Sequence, residues 1–138
     1  MSRRVLDASV ALARCFEDAS SEYSEAVLDA LDSLEVLVPA LWAMEVANTL
    51  LLAARKKRID AKELEGRIRY FAELPIEVDH VSPPAVFDSL RPLATEHGLT
   101  IYAATYPELA LRVKAPLATL DSKLKAAASK HGAFLAAK

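Results

Sequence analysis

Scarcity narrows the field first. A single cysteine, Cys15, excludes an internal disulfide framework and any zinc centre built from paired cysteines. The three glycines, Gly66, Gly98 and Gly132, are too far apart for a phosphate-cradling loop, which needs clustered glycines to bring backbone N–H groups onto a phosphate. Neither sign of charge dominates: 17 basic against 19 acidic side chains leave a net charge of −2. That balance excludes a grip on nucleic acid by bulk positive charge but leaves room for a local patch. The longest apolar run, Val36–Met44, is nine residues and contains Pro39, well short of the ~18 residues of a membrane span. Arg3 and Arg4 precede a stretch broken by Asp7 and Arg14, so no secretory leader core follows them. A cytoplasmic protein with no membrane partner is expected. What the chain has in quantity is apolar content, 53%, enough to bury a core, and 26 alanines that favour helix.

No repeat or linker interrupts the 138 residues, so one domain over 1–138 is expected. Short apolar runs at Arg4–Leu6, Val36–Val38 and Leu117–Thr119 read as strands, and Ile76–Val81 alternates like one. Ala133–Leu135 is a possible last strand. Helical spacing covers Ala8–Phe16, a segment capped by Ser20 or Ser21 and running to Ser33, and Leu41–Lys57 with its stripe of Trp42, Val46, Leu50 and Ala53. Ala61–Leu74, Pro84–His97, Ile101–Val113 (capped by Thr100) and Ser122–Lys130 follow. Pro107 conflicts with its helix, because it has no N–H for the carbonyl of Ala103 and clashes with it. Strands alternating with helices predict an α/β fold: three layers, with a mostly parallel central sheet of about four to five short strands flanked by helices.

Ligands of such sheets bind beyond the carboxyl ends of the strands. Asp7 directly follows one strand and Asp121 lies just after another, while Glu45 sits near the start of the helix after a third. Carboxylates gathered there repel one another unless a cation neutralises them, and hard oxygen donors suit Mg²⁺ or Mn²⁺. Spacing alone leaves a second reading open, in which Asp7 and Asp121 simply cap the helices they precede.

The run Val5-Leu6-Asp7-Ala8-Ser9-Val10-Ala11-Leu12 resembles the opening of a PIN domain. Pro39 followed by Glu45-Val46-Ala47-Asn48 resembles its second motif, Leu99-Thr100-Ile101-Tyr102 its third, and Pro116-Leu117-Ala118-Thr119-Leu120-Asp121 its fourth. The four stand in order across nearly the whole chain and are most similar to VapC-type toxins of toxin–antitoxin pairs. The resemblance implies an endoribonuclease that needs Mg²⁺ or Mn²⁺, forms a homodimer and is inhibited by a small antitoxin. It carries Asp7, Glu45 and Asp121 over as metal-binding catalytic acids. One position departs: the tyrosine of the third motif is normally followed by an aspartate, and here Tyr102 is followed by Ala103. The alternative reading is therefore a catalytically degenerate PIN domain that dimerises and binds antitoxin or RNA.

Around these acids, Ser9 and Thr119 carry hydroxyls able to orient a ligand, or to cap locally. Asn48, one turn after Glu45, can support that carboxylate or stand as an ordinary polar edge residue. Arg55-Lys56-Lys57-Arg58 reads first as a basic helix end and second as an RNA contact. His80, His97 and His131 read as surface or helix-end residues, and Cys15 as a small core side chain. Tyr102 and Tyr106, one helical turn apart, can stack a base or pack inward. Asp88 is a candidate to fill the gap at Ala103.

Overall fold

The four strands of the computed structural model are all parallel, in the spatial order β3-β2-β1-β4. They are β1 (Arg3–Leu6), β2 (Glu35–Pro39), β3 (Ile76–Asp79) and β4 (Leu117–Ala118). The structure describes residues 2–136; Met1, Ala137 and Lys138, which belong to the expected domain, lie outside the described residues. Strand β1 pairs with β2 through Val5↔Leu37 and with β4 through Leu6↔Ala118. Successive residues of a strand face opposite sides, and Val36, Leu37 and Val38 are all buried, so β2 is covered on both faces. This is the expected α/β architecture, with helices flanking the sheet. The strand order reverses at β1, which makes its carboxyl end a topological switch point.

Helices α1 (Ala8–Ala13), α2 (Glu22–Asp29), α3 (Leu41–Arg55) and α4 (Ala61–Ala72) connect the first three strands. Trp42 and Phe71 meet edge to face at 6.0 Å, joining α3 to α4 over the core. After β3 the chain forms α5 (Pro83–Ala85), a π-helical stretch Val86–Leu90, and α6 (Arg91–His97), which ends at Gly98 in the left-handed conformation, φ 63°. Helix α7 (Ile101–Val113) leads to β4, and α8 (Ser122–Lys130) follows. Among the described residues no helix is long and apolar enough to cross a membrane.

Several boundaries differ from the sequence expectation. Helix α1 stops at Ala13 rather than Phe16, and a turn brings Arg14 into ion pairs with Glu25 and Asp29 of α2. The segment expected to run to Ser33 is broken: α2, opened by a Ser21–Ser24 capping box, ends at Asp29, and a 3₁₀ turn covers Leu31–Ser33. Ala133–Leu135 forms a single bridge, Leu117↔Phe134, rather than a fifth strand. Pro107 does not break α7, which runs through it. Thr100 caps α7 by accepting from the N–H of Ala103, and Arg112 near its other end grips Asp79 of β3 through two bonds of 2.6 and 3.1 Å. Anchored at both ends and buried along Ala104–Pro107, the helix accommodates the lost hydrogen bond.

Candidate active site

Asp7 directly follows β1, the strand where the sheet order reverses, and its backbone N–H donates to the carbonyl of Ala118 on β4 at 3.0 Å. That register places Thr119 beside it. The Thr119 hydroxyl donates to Asp7 Oδ2 at 2.7 Å, and the Ser9 hydroxyl donates to the same oxygen at 2.6 Å. Ser9 also accepts from the N–H of Leu120 at 3.1 Å, and Thr119 from the N–H of Asp121 at 3.0 Å. Two hydroxyls thus tie the end of β1 to the loop after β4. Asp7 is only 5% exposed. Burial pushes its carboxyl above the ordinary range; the hydroxyl bonds pull it back, and the neighbouring Asp121 charge raises it again.

Glu45 lies in the second turn of α3, which β2 launches through Pro39. Burial raises its carboxyl too, the bond from Tyr106 opposes the rise, and the Asp7 charge adds to it. The Tyr106 hydroxyl donates to Glu45 Oε1. This tyrosine is 1% exposed, and its hydroxyl is held firmly protonated by burial, by that bond and by the nearby Asp7 and Glu45 charges. Asp121 is solvent-exposed and caps α8, accepting from the N–H of Leu124 at 2.9 Å. The capping reading therefore holds for Asp121, while Asp7 precedes α1 without a side-chain cap bond. The two readings meet at Asp121: one oxygen caps, and its charge is still felt by Asp7.

Among the described residues, none of the ion pairs involves Asp7, Glu45 or Asp121. A buried carboxylate that interacts with the charges of Asp121 and Glu45, held by the Ser9 and Thr119 hydroxyls and without an ion-pair partner among the described residues, has the donor chemistry of a hard divalent cation site. The oxygens do not close into a tight cage. Among the described residues, the group of three acid, histidine or cysteine ligands lying within 4.8 Å of one another is Glu96, His97 and His131, on another part of the surface. An open site of this kind suits an ion that keeps several waters, as Mg²⁺ does.

Other sequence candidates are placed differently from the expectation. Asn48 is exposed and makes no side-chain hydrogen bond among the described residues; the partner of Glu45 is Tyr106 instead. Tyr106 sits 61 positions from Glu45, and only the packing of α7 against the sheet brings them together. Tyr102, 72% exposed, does not share its burial. Ala103 is half-buried with no carboxylate in its own helical turn, and Asp88 is exposed on the π-helical stretch. Of the basic run, Arg58 pairs with Asp18 and lies over the Phe16 ring, while Arg55, Lys56 and Lys57 are exposed. Cys15 is half-buried rather than fully in the core. Beside Glu45 opens a cleft of about 720 Å³, lined by Leu41, Met44, Asn48, Leu51 and Tyr102.

A family model of the PIN domain matches residues 4–130. Ribonuclease VapC3 of Pyrobaculum aerophilum is 32% identical over 120 residues, spanning 87% of this chain and 90% of that protein. The crystal structure of PAE2754 from Pyrobaculum aerophilum superposes with a TM-score of 0.66 at 26% identity, covering 91% of this chain and 79% of that one. VapC20 of Mycobacterium tuberculosis, a sarcin–ricin loop cleaving toxin, superposes with a TM-score of 0.63 over 96% of both chains. Its identity is 14%, so that likeness speaks for the fold alone.

Proposed function

The chain belongs to the PIN-domain family, and from that premise we propose that it is a metal-dependent endoribonuclease, the toxin of a toxin–antitoxin pair. The observation that carries this reading is Asp7: a carboxylate buried at the switch point of the sheet, beside two further acids and without a cationic partner among the described residues. Asp7, Glu45 and Asp121 are the residues that would hold Mg²⁺ or Mn²⁺. When bound, such an ion supplies a water of lowered pKa and charge neutralisation at the phosphodiester.

The chain's own residues prepare the site. Ser9 and Thr119 fix the Asp7 carboxylate through Oδ2, so it does not rotate when its charge is neutralised. Tyr106 sets the rotamer of Glu45 from beneath, and its bond favours the charged carboxylate. Asp121, exposed, meets solvent and substrate first. The apolar cleft beside Glu45, with Met44 68% and Tyr102 72% exposed, supports a small antitoxin as the inhibiting partner. A second copy of the chain, forming the homodimer that the family resemblance implies, is the other partner proposed.

One observation favours the alternative, a PIN domain that binds without cleaving: Ala103 stands where the third motif normally continues with an acid. Incubation of antitoxin-free protein with a mixed RNA pool separates the two. Discrete cleavage that stops with EDTA and with Asp7→Asn supports the nuclease. Intact RNA retained by the protein on a filter supports the binding module.

A further inference from the structure

His97 and His131 are 34 positions apart, yet their Nε2 atoms face each other at 3.2 Å, with the rings edge to face at 5.3 Å. Each residue closes a helix: His97 is the last of α6, before left-handed Gly98, and His131 is the C-cap of α8, before Gly132 at φ 70°. Glu96 Oε2 lies 3.8 Å from His97 Nε2. Its other oxygen, Oε1, is fixed by Lys130 Nζ at 2.7 Å, which leaves Oε2 turned toward the imidazoles. All three ligand atoms lie within 4.8 Å of one another.

We infer that Glu96, His97 and His131 form a second metal site, for a borderline divalent ion of the zinc type, which ties the end of α6 to the end of α8. Zinc–imidazole bonds are about 2.0–2.1 Å long, so two imidazole nitrogens on one tetrahedral zinc stand roughly 3.3–3.4 Å apart. The observed separation of 3.2 Å is nearly that spacing before any ion arrives. Two imidazoles and a carboxylate are a set found in zinc sites, and imidazole selects zinc, nickel and copper over magnesium. The chain thus keeps two metal chemistries apart: three carboxylates for a hard ion, and two histidines with one carboxylate for a softer one. Three protein ligands leave the fourth position to water, since Glu96 and His131 are exposed while the His97 side chain is 10% accessible. The clamp fixes the turn Gly98–Thr100, from which α7 starts with the Thr100 cap on Ala103.

Zinc retention measures this directly. The metal-free full chain is dialysed against Zn²⁺ with excess Mg²⁺, and bound zinc is counted by mass spectrometry for wild type, His131→Ala, His97→Gln and Asp7→Asn. Wild type and Asp7→Asn are expected to hold one zinc per chain. Either histidine variant should weaken it by more than the roughly 10–100-fold lost when a partner that only orients a ligand is removed. Co²⁺ in place of zinc should give visible d–d absorption in wild type and lose it in His131→Ala, with circular dichroism confirming that the exposed substitution leaves the fold intact. Zinc should also raise Tm in wild type and not in His131→Ala. Absence of bound zinc in wild type would reduce the pair to an imidazole–imidazole hydrogen bond. Zinc lost from Asp7→Asn but kept by His131→Ala would place it among the carboxylates. Either result overturns the inference.

Discussion

Replacing Asp7 by asparagine should make the metal-free protein more stable while removing its function. Two effects oppose each other at this carboxylate. The hydroxyls of Ser9 and Thr119 favour its charge, each bond contributing about 1.5–3 kcal/mol for a charged acceptor. Against them stands the desolvation penalty of an ion in a protein interior, several kcal/mol per charge. Burial wins, since the carboxyl titrates above the ordinary range despite both donors. Asparagine removes the charge and keeps one oxygen for the two hydroxyls. Those opposing figures are of similar size, so the net gain is small, on the order of 1 kcal/mol, or roughly 3–4 °C in Tm for a domain of this size. The pH dependence carries the sign. A carboxyl whose pKa rises on folding gives stability that is whole below its unfolded value and is lost as pH climbs through its folded value. Wild type and Asp7→Asn should therefore melt alike in acid, near the ordinary aspartate value of 3.8, and separate toward neutrality. Scanning calorimetry in EDTA across that range reads the gap, and added Mn²⁺ should close it by raising wild type alone. A variant that melts below wild type at neutral pH in EDTA, or a gap that ignores pH, would refute the reasoning.

Ala103→Asp should tighten Mn²⁺ binding and speed RNA cleavage. A unit charge near 4 Å is worth about 4 kcal/mol before desolvation, and a third of that is already tenfold. Calorimetric titration that shows unchanged affinity would mean that residue 103 does not face the acids. Tyr106→Phe removes the bond that holds the Glu45 carboxyl down, so Glu45 rises further and the acid limb of the cleavage rate moves to higher pH. The same variant should lose about 1–2 kcal/mol in urea unfolding; an unmoved acid limb would show that Glu45 does not titrate in the reaction.

Three of the four strands were legible as short apolar runs that stop at a chemical boundary: Leu6 gives way to Asp7, Val36–Val38 runs into Pro39, and Leu117–Thr119 stops short of Asp121, while β3 showed by its alternation. Those boundaries also made Asp7 and Asp121 candidates for one shared edge, since parallel strands send their carboxyl ends to the same side. Tyr106 was not legible as the partner of Glu45. A buried tyrosine on an apolar helix reads as core from spacing alone, and only the crossing of α7 over β1 and β2 brings its hydroxyl to α3. His97 and His131 were hidden for the same reason, each looking like an ordinary helix end until α6 and α8 meet. Asn48 shows the converse, where spacing along one helix suggested a neighbour that the tertiary packing supplied from another. Pro107 marked a real local conflict, and tertiary burial of α7 overrode it.

Single-turnover cleavage of a mixed RNA pool, titrated with Mn²⁺, tests most directly whether the three acids gather an ion for hydrolysis. Wild type should be silent in EDTA and saturate with Mn²⁺, while Glu45→Gln and Asp121→Asn should need more Mn²⁺ and cleave at least about tenfold more slowly, the loss of one charged ligand each. Cleavage that persists in EDTA, or that both variants perform at the wild-type rate and Mn²⁺ midpoint, would contradict it.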